Sequence, residues 1–376
     1  MSFLIGADIV PTVRNCDLFA NGDLYALVGK ELTKLLNEVD YRVFNLETPL
    51  VDLCTPIDKC GPALRADCST VVGLKKIGVD LLTLANNHIM DQGENGLQST
   101  IETLNRNNIS FLGVGCNSIE AQRPLIVNIK NKKIGFYACA EHEFSIVGGK
   151  KSGANPFDPL ESFNHIVELR KDCDYVIVLY HGGKEHYQYP SPMLQRICRK
   201  FVEWGANLVV CQHSHCIGCE EKYGNGTIVY GQGNFIFDSN DGPYSGTSLL
   251  IKINDNFSID YSPLVKVEKG VRLATGEDAS KIMSEFTSRS EQIKENGFVE
   301  KEYSRFAKQM MNKYLLTCSG YNHKIFLRIL NKLSGYRLSS FLAKKYKKKE
   351  ILAIQNFIEC EAHRELLIEG LKNAIH

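Results

Sequence analysis

The sequence predicts a layered α/β domain over residues 1 to about 265, followed by a helical appendage. Three observations carry that expectation. Short apolar runs alternate with amphipathic stretches, the pattern of strands covered by helices. Several runs hold consecutive β-branched or aromatic residues, as strands buried on both faces do. Polar residues recur where the runs stop, as they do when strand ends gather along one edge of a sheet.

The candidate strands are, in order, FLIGADIV (3–10), YRVFNLE (41–47), LLTLANN (81–87), FLGVG (111–115), PLIVNI (124–129), KIGFYACA (133–140), YVIVLY (175–180), NLVVCQ (207–212), TIVYGQGNFIF (227–237) and SLLIKI (248–253). Helix candidates lie between them, for example GLQSTIETLNRNN (96–108) and PMLQRICRKFVEWG (192–205). The second sets Leu194, Ile197, Phe201 and Trp204 on roughly one face and ends at Gly205. After about residue 270 strand signals fade, and Lys, Glu, Ser and Leu dominate. There Phe326, Ile329, Leu330 and Leu333 fall at i, i+3, i+4 and i+7, one helical face. The run KKYKKKE at 344–350 reads as a solvated helix end or loop, or as a polyanion-binding element. The expected organisation is one domain over 1–268 and a helical extension over 269–376, the latter without a catalytic signature.

A chain of 376 residues with 44% hydrophobic and 23% charged residues can bury a sizeable core in water. Its net charge of +1 gives no global pull toward nucleic acid or an acidic membrane surface. The opening MSFLIGADIV lacks a basic region, and its apolar stretch is too short for a signal peptide. No apolar run approaches a membrane span. The 13 scattered cysteines therefore read as reduced thiols, and the expected location is cytoplasmic.

The chemistry lies at the strand ends, at Asp8, Glu47, Asn86, Asn87, His88, His181, His213, His215 and Asn234. Any one of them could be a satisfied structural group, and the two asparagines could simply form a turn. Taken together, carboxylates, an amide and imidazoles suit Mn, Fe or Zn, and suit a pair of divalent ions better than one. His213 and His215 either turn to serve one ion or serve two neighbouring ions.

Five segments, NLETPL, ANNHIMDQGENGL, LYHGGKEHYQYPSP, GANLVVCQHSH and IVYGQGNFIFD, stand in the order of the CapA family. Over residues 1 to about 265 the chain resembles that family, which is named for poly-γ-glutamate capsule biosynthesis and is similar in fold to calcineurin-like metallophosphoesterases. The resemblance implies a four-layer α/β/β/α sandwich. It implies Asp8 as the first-strand metal carboxylate and Glu47 as the bridging carboxylate. Asn87, His181 and His213 would hold one ion, and His215 would join Asp8 on the other. His88 resembles the general acid. Asp91 either orients His88 or caps the helix that follows. Arg65 grips a phosphate or carboxylate or lies on the surface, and Glu185 and Asn234 fall on the substrate side.

The chain departs from its relatives in places. Phosphoesterases of the calcineurin-like type carry a histidine two residues after the first aspartate, where this chain has Val10. Many relatives read H-W-G-x-E-Y where this chain has His181-Gly182-Gly183-Lys184-Glu185-His186, and G-H-H-P-H where it has Cys211-Gln212-His213-Ser214-His215. Cys211, Cys216 and Cys219 could hold a structural zinc or be buried thiols. His142 could carry a proton or lie at the pocket edge.

The resulting expectation is a metal-dependent hydrolase of phosphate esters, acting on a phosphorylated or polyanionic small molecule or polymer alongside capsule-synthesis machinery, with neither nucleic acid nor a transmembrane segment involved. The alternatives are a γ-glutamyl amide hydrolase or transferase, and a non-catalytic polymer-binding component of a synthase complex.

Overall fold

Alternation of side chains along the strands sorts the protein into layers. The computed structural model describes residues 1–149, 151–237, 244–318, 320, 325–335 and 337–375. It divides into two units, Met1–Glu300 and Lys301–His376. The strands are β1 (Phe3–Val10), β2 (Tyr41–Leu46), β3 (Leu81–Thr83), β4 (Ser110–Leu112), β5 (Val114–Gly115), β6 (Leu125–Ile129), β7 (Lys132–Ala140) and β8 (Gly153–Ala154). They continue as β9 (Tyr175–His181), β10 (Leu208–Gln212), β11 (Glu220–Tyr223), β12 (Gly226–Val229), β13 (Asn234–Phe237), β14 (Thr247–Ile253), β15 (Ile259–Val267) and β16 (Gly270–Leu273).

One sheet runs β16-β15-β14-β1-β2-β3-β4, with β13 also paired to β1, and the other runs β11-β12-β10-β9-β7-β6. β1 to β4 are parallel, as are β7, β9, β10 and β12, so each sheet gathers several C-terminal strand ends on one edge. Phe3, Ile5, Val43 and Leu81 of the first sheet meet Phe136, Ile177, Leu179 and Val210 of the second in an apolar slab between the sheets. The opposite faces of the same strands look outward. Leu4, Ile9, Phe44 and Leu82 pack under helices Leu24–Asn37, Val71–Ile77 and Gly93–Arg106. Tyr137, Val176, Val178 and Val209 pack under helices Ser162–Asp172 and Pro192–Glu203. This is the expected helix–sheet–sheet–helix order. Each fully buried Ile, Leu or Phe contributes roughly 2 kcal/mol, so the slab is the main adhesive between the sheets.

Two expected strands are each divided. FLGVG breaks at Gly113 (φ +86°) into β4 and β5, which belong to different sheets. TIVYGQGNFIF breaks between Val229 and Asn234, where Gly231 and Gly233 have φ of +134° and +78°. The chain thereby crosses from β12 in the second sheet to β13 in the first. Helix Pro192–Glu203 starts as its sequence demands, with Pro192 in its first turn and the Ser191 hydroxyl accepting from the Leu194 N–H at 3.0 Å.

The boundary expected near residue 268 falls inside the first unit. β16 extends the first sheet, and Ile282 and Phe286 of helix Gly276–Gln292 pack on Ile217 and Leu249. Helices Phe298–Cys318, Ile325–Leu333, Arg337–Ala343, Lys348–Glu359 and Glu361–Ile375 follow. Among the described residues no helix is long and apolar enough to cross a membrane.

Candidate metal centre

The site begins with an irregularity in β1. Phe3 and Ile5 face the slab and Leu4 the helices, so strict alternation would put Asp8 on the helix side. Ala7 and Ile9 face the helices instead, because the pairing of β1 with β2 slips between Ile5 and Asp8. Asp8 is thereby turned toward the slab side. Gly6 lies in the slip, where an added Cβ would stand 2.1 Å from the Phe44 ring. The carbonyls of Ile5 and Gly6 are satisfied by the buried amides of Gln232 (3.0 Å) and Gln212 (3.3 Å).

Simple alternation places Asn45, Glu47 and His181. Val43 faces the slab, and Asn45 and Glu47 follow at two and four residues on. Tyr175, Ile177 and Leu179 face it, and His181 comes next in that series. The polar cluster thus continues the apolar slab at its C-terminal edge. After β10 the chain turns sharply, with His213 at φ +82° and His215 at φ +52°. A left-handed conformation costs a non-glycine residue about 1 kcal/mol or more, and such strain collects at functional sites.

His181 Nε2 lies 3.3 Å from Glu47 Oε1, 3.1 Å from His213 Nδ1 and 3.0 Å from Asn87 Oδ1. His215 Nε2 lies 3.8 Å from Glu47 Oε1, and His215 Nδ1 lies 3.5 Å from Asp8 Oδ2. Two sets of ligand atoms result, Glu47–His181–His213 and Asp8–Glu47–His215, each with its atoms within 4.8 Å of one another. Glu47 belongs to both. Both of its carboxylate oxygens, and Asp8 Oδ2, are buried without a hydrogen-bond partner. Buried anionic oxygens left unpaired are costly, so the donor set fits divalent cations.

The electrostatics express the same conflict. Burial, and then the Asp8 carboxylate, push Glu47 up to about 8. Burial opposes charge on His215, but Glu47 and Asp8 outweigh it and raise the imidazole to about 10. Burial lowers His181 to about 3, and burial with the neighbouring imidazoles also lowers His213. Burial would raise Asp8, yet His215, His181 and Asn45 hold it below the usual carboxylate value.

Further hydrogen bonds fix these side chains. Asn45 donates to Asp8 Oδ1 at 2.8 Å, and Asn86 donates to Asn45 Oδ1 and to the Leu46 carbonyl. The adjacent asparagines therefore differ in role: Asn86 braces the end of β2, and Asn87 presents its oxygen to the His181 side. Asn87 Nδ2 donates to Glu143 Oε2 at 3.3 Å, which sets that orientation. His215 Nδ1 lies 2.8 Å from Asn234 Oδ1, which sets how the His215 ring is turned. His88 Nδ1 lies 2.6 Å from Asp91 Oδ2. Asp91 also accepts from Lys59 Nζ and from the Leu64 N–H, each at 2.6 Å. It holds His88 rather than capping helix Gly93–Arg106, whose N-cap is Gln92.

Glu185 is half-buried, and His213, Lys184 and His215 hold it below its usual range against the upward push of burial. Arg65 and His142 are exposed. Cys211, Cys216 and Cys219 are buried free thiols. Sequence reasoning missed Asn45, Lys59, Glu143, Gln212 and Gln232. Asn45 had a signal, two residues before Glu47 on the same strand face, whereas Lys59 sits in a Pro- and Cys-bearing loop with no periodicity.

Residues 14–239 match the family described as bacterial capsule synthesis protein PGA_cap. The chain belongs to this family. The PGA_cap match contains every residue of the centre except Asp8. The chain is 30% identical over 182 residues to the PGA biosynthesis protein CapA of Bacillus subtilis (strain 168), covering 46% of this chain and 47% of that one. It is 28% identical over 181 residues to the capsule biosynthesis protein CapA of Bacillus anthracis, covering 46% and 44%. It thus spans about half the length of the curated relatives it matches. Among solved structures it is similar to one described as a novel phosphatase from Mycoplasma pneumoniae, at a TM-score of 0.45 and 13% identity over 72% of this chain and 94% of that one.

Proposed function

We propose that this PGA_cap protein is a two-ion, metal-dependent hydrolase of phosphate esters that works in the synthesis or turnover of a poly-γ-glutamate-like capsule or envelope polymer. The observation that carries the reading is Glu47, buried and unpartnered at both oxygens and shared by two ligand sets. Asp8, Glu47 and His215 would hold one ion. Glu47, His181, His213 and the Asn87 oxygen would hold the other. Bound divalent ions supply Lewis acidity and a water that ionises near neutral pH.

The chain's own residues do the rest. Asp91 accepts from His88 Nδ1–H and orients the ring, so that the doubly protonated imidazolium would present its Nε2–H to the departing oxygen and become neutral on giving that proton up. Lys59 balances the buried Asp91 charge. Glu143 keeps the Asn87 amide turned so that its oxygen faces the ligands. Arg65 and Glu185 are proposed to meet the substrate beyond the ester. Family membership and the names of the two CapA relatives support the capsule context. Thirteen free thiols support residence in a reducing compartment, the cytoplasm.

Val10 favours a second reading. It leaves the Asp8 set with a single imidazole, and a weakly loaded site would suit a polymer-binding component of a synthase. Metal content of the purified protein, followed by turnover of phosphate mono- and diesters and of a γ-glutamyl anilide, separates the readings. Two equivalents of metal with phosphoester cleavage is the expected result. Cleavage of the anilide alone would replace the substrate class, metal without turnover would leave the binding role, and protein without metal affinity would remove the centre.

A further inference from the structure

The residues beyond the family match hold a charge asymmetry that the net charge conceals. Between residues 303 and 349 lie twelve of the chain's 44 Lys and Arg and none of its 43 Asp and Glu. The same stretch presents large apolar side chains. Phe326, Ile329, Leu330 and Leu333 line one face of helix Ile325–Leu333 and are 70%, 54%, 36% and 79% exposed. Phe341, on helix Arg337–Ala343, is 64% exposed. Lys332, Arg337 and the five lysines of 344–349 are exposed as well.

We infer that the segment 325–349 docks on an anionic lipid bilayer surface, with these apolar side chains seated at the acyl boundary and the lysines among the headgroups. Helix Ile325–Leu333 has 9 residues, too few for a span of about 20, so the segment lies on the membrane rather than crossing it. An apolar face flanked by cations is the composition that such an interface selects. A soluble polyanion or nucleic acid would be matched by the cations alone and would leave Phe326 and Leu333 in water. A second copy of the chain would bring the same positive charges together. The inference is independent of the catalytic reading.

The test is co-sedimentation of the full chain with vesicles of phosphatidylcholine, with or without about one-third phosphatidylglycerol. Binding to the anionic vesicles only, and its loss in high salt, is expected. Lys344→Glu with Lys345→Glu should weaken it by well over tenfold, since each basic residue near the surface is worth roughly fivefold. Phe326→Ser with Leu333→Ser should also weaken it by at least about tenfold, because buried apolar area drives insertion. All four positions are exposed, and circular dichroism with metal content shows that the fold is intact. No pelleting with anionic vesicles would overturn the inference. So would a serine variant that binds like wild type while soluble polyglutamate competes, which marks a polyanion site. Self-association without vesicles that the serine variant abolishes would also overturn it, by assigning the face to a second copy.

Discussion

Glu47 concentrates the electrostatic conflict of this molecule, because two candidate ligand sets converge on a carboxylate with no donor of its own. Metal-free, it titrates near 8 against an ordinary 4.5, so across that window the folded state keeps a proton that the unfolded chain has released. The stability associated with Glu47 is therefore present in acid and lost as the pH rises through about 8. His215, raised to about 10, has the same sign: its contribution is complete below its ordinary 6.5 and is lost as the pH rises through about 10. Under a chelator the melting temperature should fall between about pH 6 and about pH 9, and added manganese should restore most at the higher pH. Glu47→Gln should abolish metal uptake yet melt at or above the chelated wild type near pH 9, since it removes the buried charge. A chelated wild type with a flat melting profile over that range would refute this account. Lys59 makes a second residue-scale case. Its side chain is 3% exposed and pairs with the fully buried Asp91. Lys59→Met leaves that carboxylate short of a counter-charge and should cost about 3 kcal/mol in urea unfolding, with metal content unchanged. Turnover of an alkyl phosphate should fall further than that of a nitrophenyl phosphate, because only the poorer leaving group needs the proton from His88. Equal losses on both esters would confine Lys59 to a role in stability.

At the scale of elements, the centre depends on places where regular structure is broken. Nothing in FLIGADIV separates an even strand from one that slips at Gly6, yet the slip turns Asp8 from the helix side to the slab side. Gly6→Ala should drive a methyl group into the Phe44 ring, which an ideal Cβ would approach to 2.1 Å. We expect it to cost about 2 kcal/mol and to lower affinity at the Asp8 set while the Glu47–His181–His213 set keeps its metal, a split that calorimetric metal titration resolves. Wild-type affinity at the Asp8 set in a folded variant would mean that the slip does not position Asp8. The same limit explains what the sequence hid elsewhere. The runs that end at Asp8, Glu47, His181 and His213 were legible because alternation and apolar content mark strands, and strand ends are where polar groups gather. A period of two does not say which sheet a strand joins, so TIVYGQGNFIF reads as one strand although Gly231 and Gly233 carry the chain between sheets. Nor does it reveal a contact between a loop lysine and an aspartate 32 residues away.

At the scale of the whole molecule, the centre reports how the two sheets are held together. Asp8 and Glu47 come from the first sheet and the strand end beside it, whereas His181 ends β9 of the second sheet and His213 follows β10. The segment that bears His213 and His215 continues into Ile217 and Gly218, and helix Gly276–Gln292 grips it there. Arg289 donates to the Gly218 carbonyl at 2.8 Å, the Ser290 hydroxyl accepts from the Glu220 N–H at 2.8 Å, and Ile282 and Phe286 cover Ile217. Burial of those two side chains alone is worth roughly 2 kcal/mol each. Residues 270–300 thus belong with the centre despite contributing no ligand to it. A chain ended after Glu300 should keep both metal equivalents and a melting temperature close to that of the full protein, and should lose vesicle binding. A chain ended at Glu268 should bind metal poorly at the His215 set, or precipitate, because the turn that carries His213 and His215 loses its brace. Arg289→Ala in the full chain separates these causes: it removes the bond to Gly218 without stripping a strand, and it should lower affinity at the His215 set more than at the His181–His213 set. If the chain ended at Glu268 bound both metals as tightly as the one ended at Glu300, the centre would be held by the sheets alone, and helix Gly276–Gln292 would have no part in it.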